Sequence, residues 1–308
     1  MTRIALLFYA LMPGTVLANG LPPLGDVADT GLSGAPAIYP TFGIHNPPQY
    51  SPCPKTALDC LNRRMEGVPS DPLYPQFWTS DWIMYRVFDG YQDNPPPYTS
   101  PPSTLRPDQY EVSEGTTYYD STYQADAYPD SGAMMEYYKK RCLPIFPIDN
   151  KFSCAFISLG KTAYFLTYPE DRPQNMPACC LFSPENHPPR RDFVKHLPYS
   201  APDSARIDDI QAYSLTTPGP DGSPILFGYA FESQYRTDPD MAEQQAYRHP
   251  YAFYFSGSPE SPPDAPIVTQ NYTNFSALKP DPASTWELVG QMCTGDIPDC
   301  ELFNPSDQ

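Results

Sequence analysis

Eight cysteines, four histidines and 36 acidic side chains are the first groups in this 308-residue chain to weigh as metal ligands, thiols or proton carriers. Zinc binding and thiol exchange both ask for a CxxC step or for histidines at ligand spacing. Neither pattern is present: His45, His187, His196 and His249 stand apart from Cys53, Cys60, Cys142, Cys154, Cys179, Cys180, Cys293 and Cys300. An even cysteine count in an oxidising compartment reads instead as four disulfides. Cys53/Cys60 and Cys293/Cys300 are spaced to close small loops near the two ends. Adjacent Cys179 and Cys180 are poorly placed to bond to each other, because the ring would strain the peptide between them. The expectation is that they pair with Cys142 and Cys154, in either order.

Hydrolytic chemistry finds little footing. The chain has no nucleophile elbow, no zincin helix and no histidine beside a plausible nucleophile. His187 and His196 flank Pro188-Pro189-Arg190-Arg191, which reads as a solvated loop with a small basic island. The acid pairs Asp208-Asp209 and Asp238/Asp240 are what a glycosidase would use, yet pairs of this kind arise by chance among so many acids. No catalytic residue and no metal ligand is assigned. The acidic surface allows loosely bound calcium but offers no EF-hand loop, so no cofactor is expected.

Aromatic residues are the more telling set, with 24 tyrosines, 16 phenylalanines and 3 tryptophans. Trp78, Trp82, Tyr85, Phe156, Phe165, Phe227, Tyr229 and Phe253 fall in separate apolar runs and would come together from several strands. Each alone is compatible with ordinary core packing. As a group they fit the lining of a concave hydrophobic pocket, because strands apolar on both faces, with little helix to cover them, leave one face in need of an occupant.

The elements that would position these residues are strands. The 42 prolines fix φ and remove backbone donors, which nearly excludes long helices and puts loops and edges between short β segments. Residues 77–88, FWTSDWIMYRVF, form the first strong strand, with both parities apolar. Residues 115–123 resume the alternation. Residues 133–141, AMMEYYKKR, fit a short helix, although Met134, Glu136 and Tyr138 also alternate as a strand would. Residues 153–159 and 163–168 flank Gly160-Lys161, a two-residue hairpin turn, and PGPDG separates residues 207–217 from 223–232 as a second hairpin. Residues 251–255 and 267–275 complete the set, and residues 55–65 and 238–247 are short helix candidates. The predicted fold is mainly β: a curled antiparallel sheet or half-barrel with few short helices, stapled by disulfides.

The predicted organisation is a signal peptide over residues 1–18, a Pro/Gly-rich arm over 19–72, a β domain over 73–300 with a proline-rich loop at 89–109, and a tail over 301–308. The leader reading rests on Arg3 ahead of an apolar run and on small residues at Val16 and Ala18. No later run reaches the ~20 apolar residues of a membrane span. The formal charge of −17 becomes −18 when Arg3 leaves, since residues 1–18 hold no acid. That balance argues against nucleic acid and anionic membrane surfaces as partners. Asn271-Tyr272-Thr273 and Asn274-Phe275-Ser276 are N-glycosylation sequons, expected to matter in the secretory or endolysosomal lumen.

Tyr118-Tyr119-Asp120, a cysteine-bearing sheet centre followed by a proline-rich loop, and the closing run from Asn274 through Pro280-Asp281-Pro282 toward Cys293 together resemble the ependymin-related proteins and, more broadly, LolA-like curled sheets. The likeness spans residues 75–295. It implies a sheet wrapped around a hydrophobic cavity in a secreted or lysosomal glycoprotein with some calcium affinity, and it assigns no individual ligand contact. The expected function is non-catalytic binding of an apolar or amphiphilic molecule, with lipid as the favoured class. The alternatives are a matrix or wall glycoprotein using its tyrosines and prolines for adhesion, and a secreted hydrolase built on a carboxylate pair.

Overall fold

The computed structural model describes residues 71–88, 95–124, 132–145, 150–184, 186–218, 224–236, 247–256 and 267–300. The predicted leader, nearly all of the N-terminal arm with Cys53, Cys60 and His45, the helix candidate at 55–65 and the tail beyond 300 lie outside these residues. So does most of the candidate at 238–247.

Eleven strands form one antiparallel sheet. They are β1 Phe77–Val87, β2 Tyr110–Asp120, β3 Ala133–Lys139, β4 Cys154–Leu159, β5 Thr162–Thr167, β6 Cys179–Ser183, β7 Tyr199–Ser200, β8 Ile210–Pro218, β9 Pro224–Glu232, β10 Pro250–Ser256 and β11 Ile267–Ser276. Their spatial order is β6-β5-β4-β3-β2-β1-β11-β10-β9-β8-β7. The chain thus meanders outward from β1 to one edge, crosses to the opposite edge, and meanders back until β11 pairs with β1. Among the described residues two short α-helices join the sheet, α1 Ala201–Ser204 and α2 Leu288–Met292.

Local sequence explains most of this. Pro218, Pro224 and Pro250 stand at strand ends, where a missing backbone donor is tolerated. Gly160, at φ +52°, begins the two-residue turn between Leu159 and Thr162. Residues 133–139, ambiguous by pattern, are strand: pairing with β2 and β4 satisfies both backbone edges of β3.

The sheet curls. Tyr74 lies with its ring centroid 5.5 Å from Tyr119 on β2 and 5.6 Å from Phe231 on β9. In a flat sheet, the four inter-strand steps between β2 and β9 would span about 19 Å. The inner faces of all eleven strands consequently share one aromatic core, while β6 and β7 remain as separate edges.

The crossing from β6 to β7, residues 186–198, is a strap laid through the concavity. Its Phe193, Val194 and Leu197 are buried in the inner core. Ser158 Oγ donates to the Asn186 carbonyl and Tyr119 Oη to the Pro189 carbonyl at 2.7 Å. Arg191 and Tyr74 exchange backbone and side-chain bonds of 2.8 and 2.9 Å. Here the expectation of a solvated loop fails: Asn186, His187, Pro188 and Pro189 are buried. Prolines keep this segment from pairing as a strand, and its apolar residues fill the space that the curl creates.

The outer face is covered in three places. The C-terminal segment sets Trp286 and Val289 over β3, β4 and β5. The α1 segment lies over β8, β9 and β10, where Tyr254 Oη donates to Asp203 Oδ2 at 2.9 Å. The later half of the proline-rich excursion lies over β1 and β11, with Tyr98 beside Tyr85 and Pro96 and Pro97 buried.

The disulfides correct the expected pairing. Cys142 bonds to Cys154, but Cys179 bonds to Cys293 and Cys180 to Cys300. Adjacent strand residues point to opposite faces, so Cys179 joins the outer core and Cys180 the inner one. Residues 293–300 meet both by wrapping the β6 edge, where Leu181 N–H donates to Pro298 O and Cys300 N–H to Leu181 O at 2.8 and 3.0 Å. The small C-terminal loop expected from spacing would have required Cys293 to bond to Cys300, whereas the Cys53/Cys60 loop lies outside the described residues.

Candidate functional site

The centre of the inner face holds a carboxyl group. On β3 the alternation sends Met134, Glu136 and Tyr138 inward, and register places Glu136 opposite Thr117 of β2 and Phe156 of β4. Glu136 is buried. Its Oε2 accepts from Thr117 Oγ1 at 2.8 Å and from Trp82 Nε1 at 3.2 Å, and the Gln270 side chain is a further hydrogen-bond partner. Trp82 reaches it because Gly115 lies directly across on β2. A Cβ at Gly115 would come within 2.1 Å of the indole and 2.0 Å of the Tyr137 carbonyl. The glycine therefore gives the ring its seat.

Burial dominates the electrostatics of this group. It pushes the Glu136 carboxyl up to about 8, with the Thr117, Trp82 and Gln270 bonds opposing it. The protonated acid is then the prevailing form near neutral pH. It is a hydrogen-bond donor as well as an acceptor. Around it stand the phenols of Tyr138, Tyr229, Tyr74 and Tyr272, each raised first by burial and further by the nearness of Glu136. They are neutral donors at any physiological pH.

A second polar cluster marks the end of the inner face nearest the β2 start, six residues or about 20 Å along the strand from Thr117. Glu111 accepts from Arg86 Nη2 at 2.5 Å and from Arg141 Nε at 2.7 Å. Partial burial works to raise the Glu111 carboxyl, but the two arginines outweigh it and hold the group below its ordinary value. Burial lowers the Arg86 guanidinium, against the pull of Glu111. Arg86 also lies over the Phe88 ring at 4.7 Å.

Of the eight aromatic residues singled out from the sequence, seven lie in the one inner core: Trp78, Trp82, Phe156, Phe165, Phe227, Tyr229 and Phe253. Trp82 meets Tyr138, and Phe227 meets Phe255. Phe156 stands 5.2 Å from Phe165, Tyr229 is 5.5 Å from Phe253, and Phe193 of the strap is 4.7 Å from Tyr229. Tyr85 lies apart from them, near Tyr98 on the outer face, since its odd position on β1 points the other way. The sequence reading missed Glu136, Thr117, Gln270 and Tyr74 as members of the site. One signal was present: Glu136 is the lone acid within Met-Met-Glu-Tyr-Tyr, and a strand reading of that run turns it toward the same side as Met134 and Tyr138.

The other candidates are dispersed. His187 is buried in the strap with Nδ1 2.7 Å from the Pro188 carbonyl. His249 stacks on Phe275 at 3.8 Å and stands 3.6 Å from Glu232, and burial lowers its pKa despite that carboxylate. Asp208 and Asp209 are exposed on the turn before β8, and Asp238 and Asp240 lie outside the described residues. Asn271 and Asn274 both lie on β11. Among the described residues, no group of three His, Cys, Asp or Glu side chains could hold a metal ion, and no helix is long and apolar enough to cross a membrane. No protein-family model matches the chain, and no curated protein matches it.

Proposed function

We propose that this protein is a secreted, non-catalytic carrier for an apolar or amphiphilic molecule, with lipid as the class that fits, received on the inner face between strap and sheet. The observation that carries the reading is Glu136: a carboxyl buried on the aromatic inner face with Thr117 and Trp82 as its hydrogen-bond donors. A purely structural core gains nothing from a buried acid, because burying a polar group costs free energy that an apolar side chain of equal volume avoids. A neutral carboxyl flanked by phenols and an indole N–H is suited to a single polar head, whether an ester, a hydroxyl or a fatty acid. The chain of such a ligand would gain ~0.8 kcal/mol per methylene buried.

The aromatic residues fill the inner face themselves, so a ligand must take the place of strap side chains. The strap suits that role. Residues 186–198 contain no strand, and isolated bonds rather than a ladder tie them to the sheet: Tyr119 Oη and Ser158 Oγ donate to strap carbonyls, and Ser214 N–H of β8 donates to the Pro198 carbonyl. Three disulfides among the described residues, and the leader-like pattern of residues 1–18, support passage through an oxidising secretory lumen.

The test is ligand content and uptake. Native mass spectrometry of protein purified without detergent from a secretory host is expected to show a co-purifying hydrophobic adduct. A fluorescent fatty acid should bind to delipidated protein, and Glu136→Gln should weaken that binding while the far-ultraviolet circular dichroism stays the same. Folded wild-type protein with neither adduct nor uptake would remove the reading.

A further inference from the structure

We infer that the two overlapping sequons are not equivalent and that Asn274 alone carries an N-linked glycan in the folded protein. The inference is independent of any lipid and rests only on the secretory route proposed above.

Asn271 is a sheet position on both sides: it pairs with Ile83 of β1 and with Ala252 of β10. Its side chain points to the outer face and is 9% exposed beneath the proline-rich cover. The acceptor atom of the sequon, Nδ2, donates to the Tyr98 carbonyl at 3.0 Å and to the Thr99 carbonyl at 3.4 Å. A sugar on that nitrogen would occupy the place of the Tyr98–Thr99 backbone. A chain modified there could not seat the cover on β1 and β11.

Asn274 is the opposite case. The β1–β11 register slips between Thr79/Ser276 and Asp81/Thr273, so Asn274 sits in an irregular step near the strand end. It has φ +50°, a conformation asparagine tolerates better than most residues. The side chain is exposed, and its Nδ2 meets only surface Asp81 Oδ2 at 3.1 Å. One N–H is enough for that contact and the other is open to substitution.

The step itself is ordinary glycosyl transfer. Asn274 Nδ2 attacks the anomeric carbon of an oligosaccharide carried on a polyprenyl pyrophosphate. A C–N bond forms, the C–O bond to pyrophosphate breaks, the pyrophosphate departs with its lipid, and the amide nitrogen gives one proton to a base of the transferase.

The test uses the full chain directed into the secretory pathway of a eukaryotic cell by a heterologous leader, with glycopeptide mapping of the secreted material. Thr273→Ala removes the Asn271 sequon and Ser276→Ala the Asn274 sequon, and both leave the asparagines in place. The expected result is a glycan on Asn274 in wild type and in Thr273→Ala, and none in Ser276→Ala. A glycan on Asn271 of secreted protein, or secreted wild-type protein with Asn274 bare, would overturn the inference. Lipid uptake is read separately, so the failure of either proposal leaves the other standing.

Discussion

Glu136 has a consequence for stability that follows from its surroundings. Its ordinary value is 4.5, and burial in the folded state pushes it up to about 8. Below about pH 4.5 the group is protonated whether the chain is folded or not, and it contributes no pH dependence. Between those values the unfolded chain releases a proton that the folded chain keeps, so stability falls as pH rises. The slope from this one group is on the order of 1.4 kcal/mol per pH unit. Above about pH 8 both states are ionised and the loss levels off. Denaturant titrations of wild type and Glu136→Gln at pH 5, 6.5 and 8 should show the variant gaining on wild type as pH rises. Parallel curves would mean that the carboxyl is solvated rather than buried.

At the scale of elements, the C-terminal segment is held to the sheet by covalent bonds at two adjacent residues of β6. Cys179 and Cys180 point to opposite faces, so their bonds to Cys293 and Cys300 clamp the tail from both sides of the edge strand. The bridges span 114 and 120 residues, and a loop of ~100 residues is worth about 4.7 kcal/mol in the chain-entropy account. The double replacement Cys180→Ser with Cys300→Ser is expected to cost about 2–5 kcal/mol, read as a lowered melting temperature. It should also expose the β6 edge that the tail now covers. Hydrogen exchange at Leu181, whose N–H donates to Pro298 O, would report that exposure. Unchanged protection there would show that the tail binds without its sulfurs.

At the scale of the whole molecule, the curl and the strap depend on each other. A sheet bent until β2 and β9 share Tyr74 needs something inside it, and the strap supplies Phe193, Val194 and Leu197. The Tyr119 phenol ties strap to sheet through the Pro189 carbonyl, both groups being buried. Tyr119→Phe leaves that carbonyl without its partner, which costs about 1–3 kcal/mol. If the strap yields to ligand, the same change should speed fatty acid uptake, measured by stopped-flow fluorescence. Destabilisation with unaltered uptake kinetics would place the route of access elsewhere.

Local pattern was enough for several features. Alternation and proline placement marked β1, the Gly160-Lys161 hairpin, the hairpin around PGPDG and the last two strands, because side-chain period and backbone donors are properties of a few consecutive residues. The choice of seven inward-facing aromatics out of eight was legible for the same reason, while Tyr85 needed its parity resolved against a covering loop. Other features required distant parts of the chain to meet. Cysteine spacing favoured local loops, yet the tail reached β6 from more than a hundred residues away. The buried strap looked like a surface loop because its prolines and arginines say nothing of the concavity into which they are threaded. Residues 133–139 could have been helix or strand, and only neighbours offering hydrogen bonds on both edges made them β3, which set Glu136 at the centre of the inner face. What the linear chain determined was most of the short β segments and their two-sided apolar character, while β3, β6 and β7 took their strand form from their partners. What the three-dimensional arrangement decided was which faces curl inward, which sulfurs meet and which acid is shut away from water, because burial and long-range contact arise from packing and have no local signature.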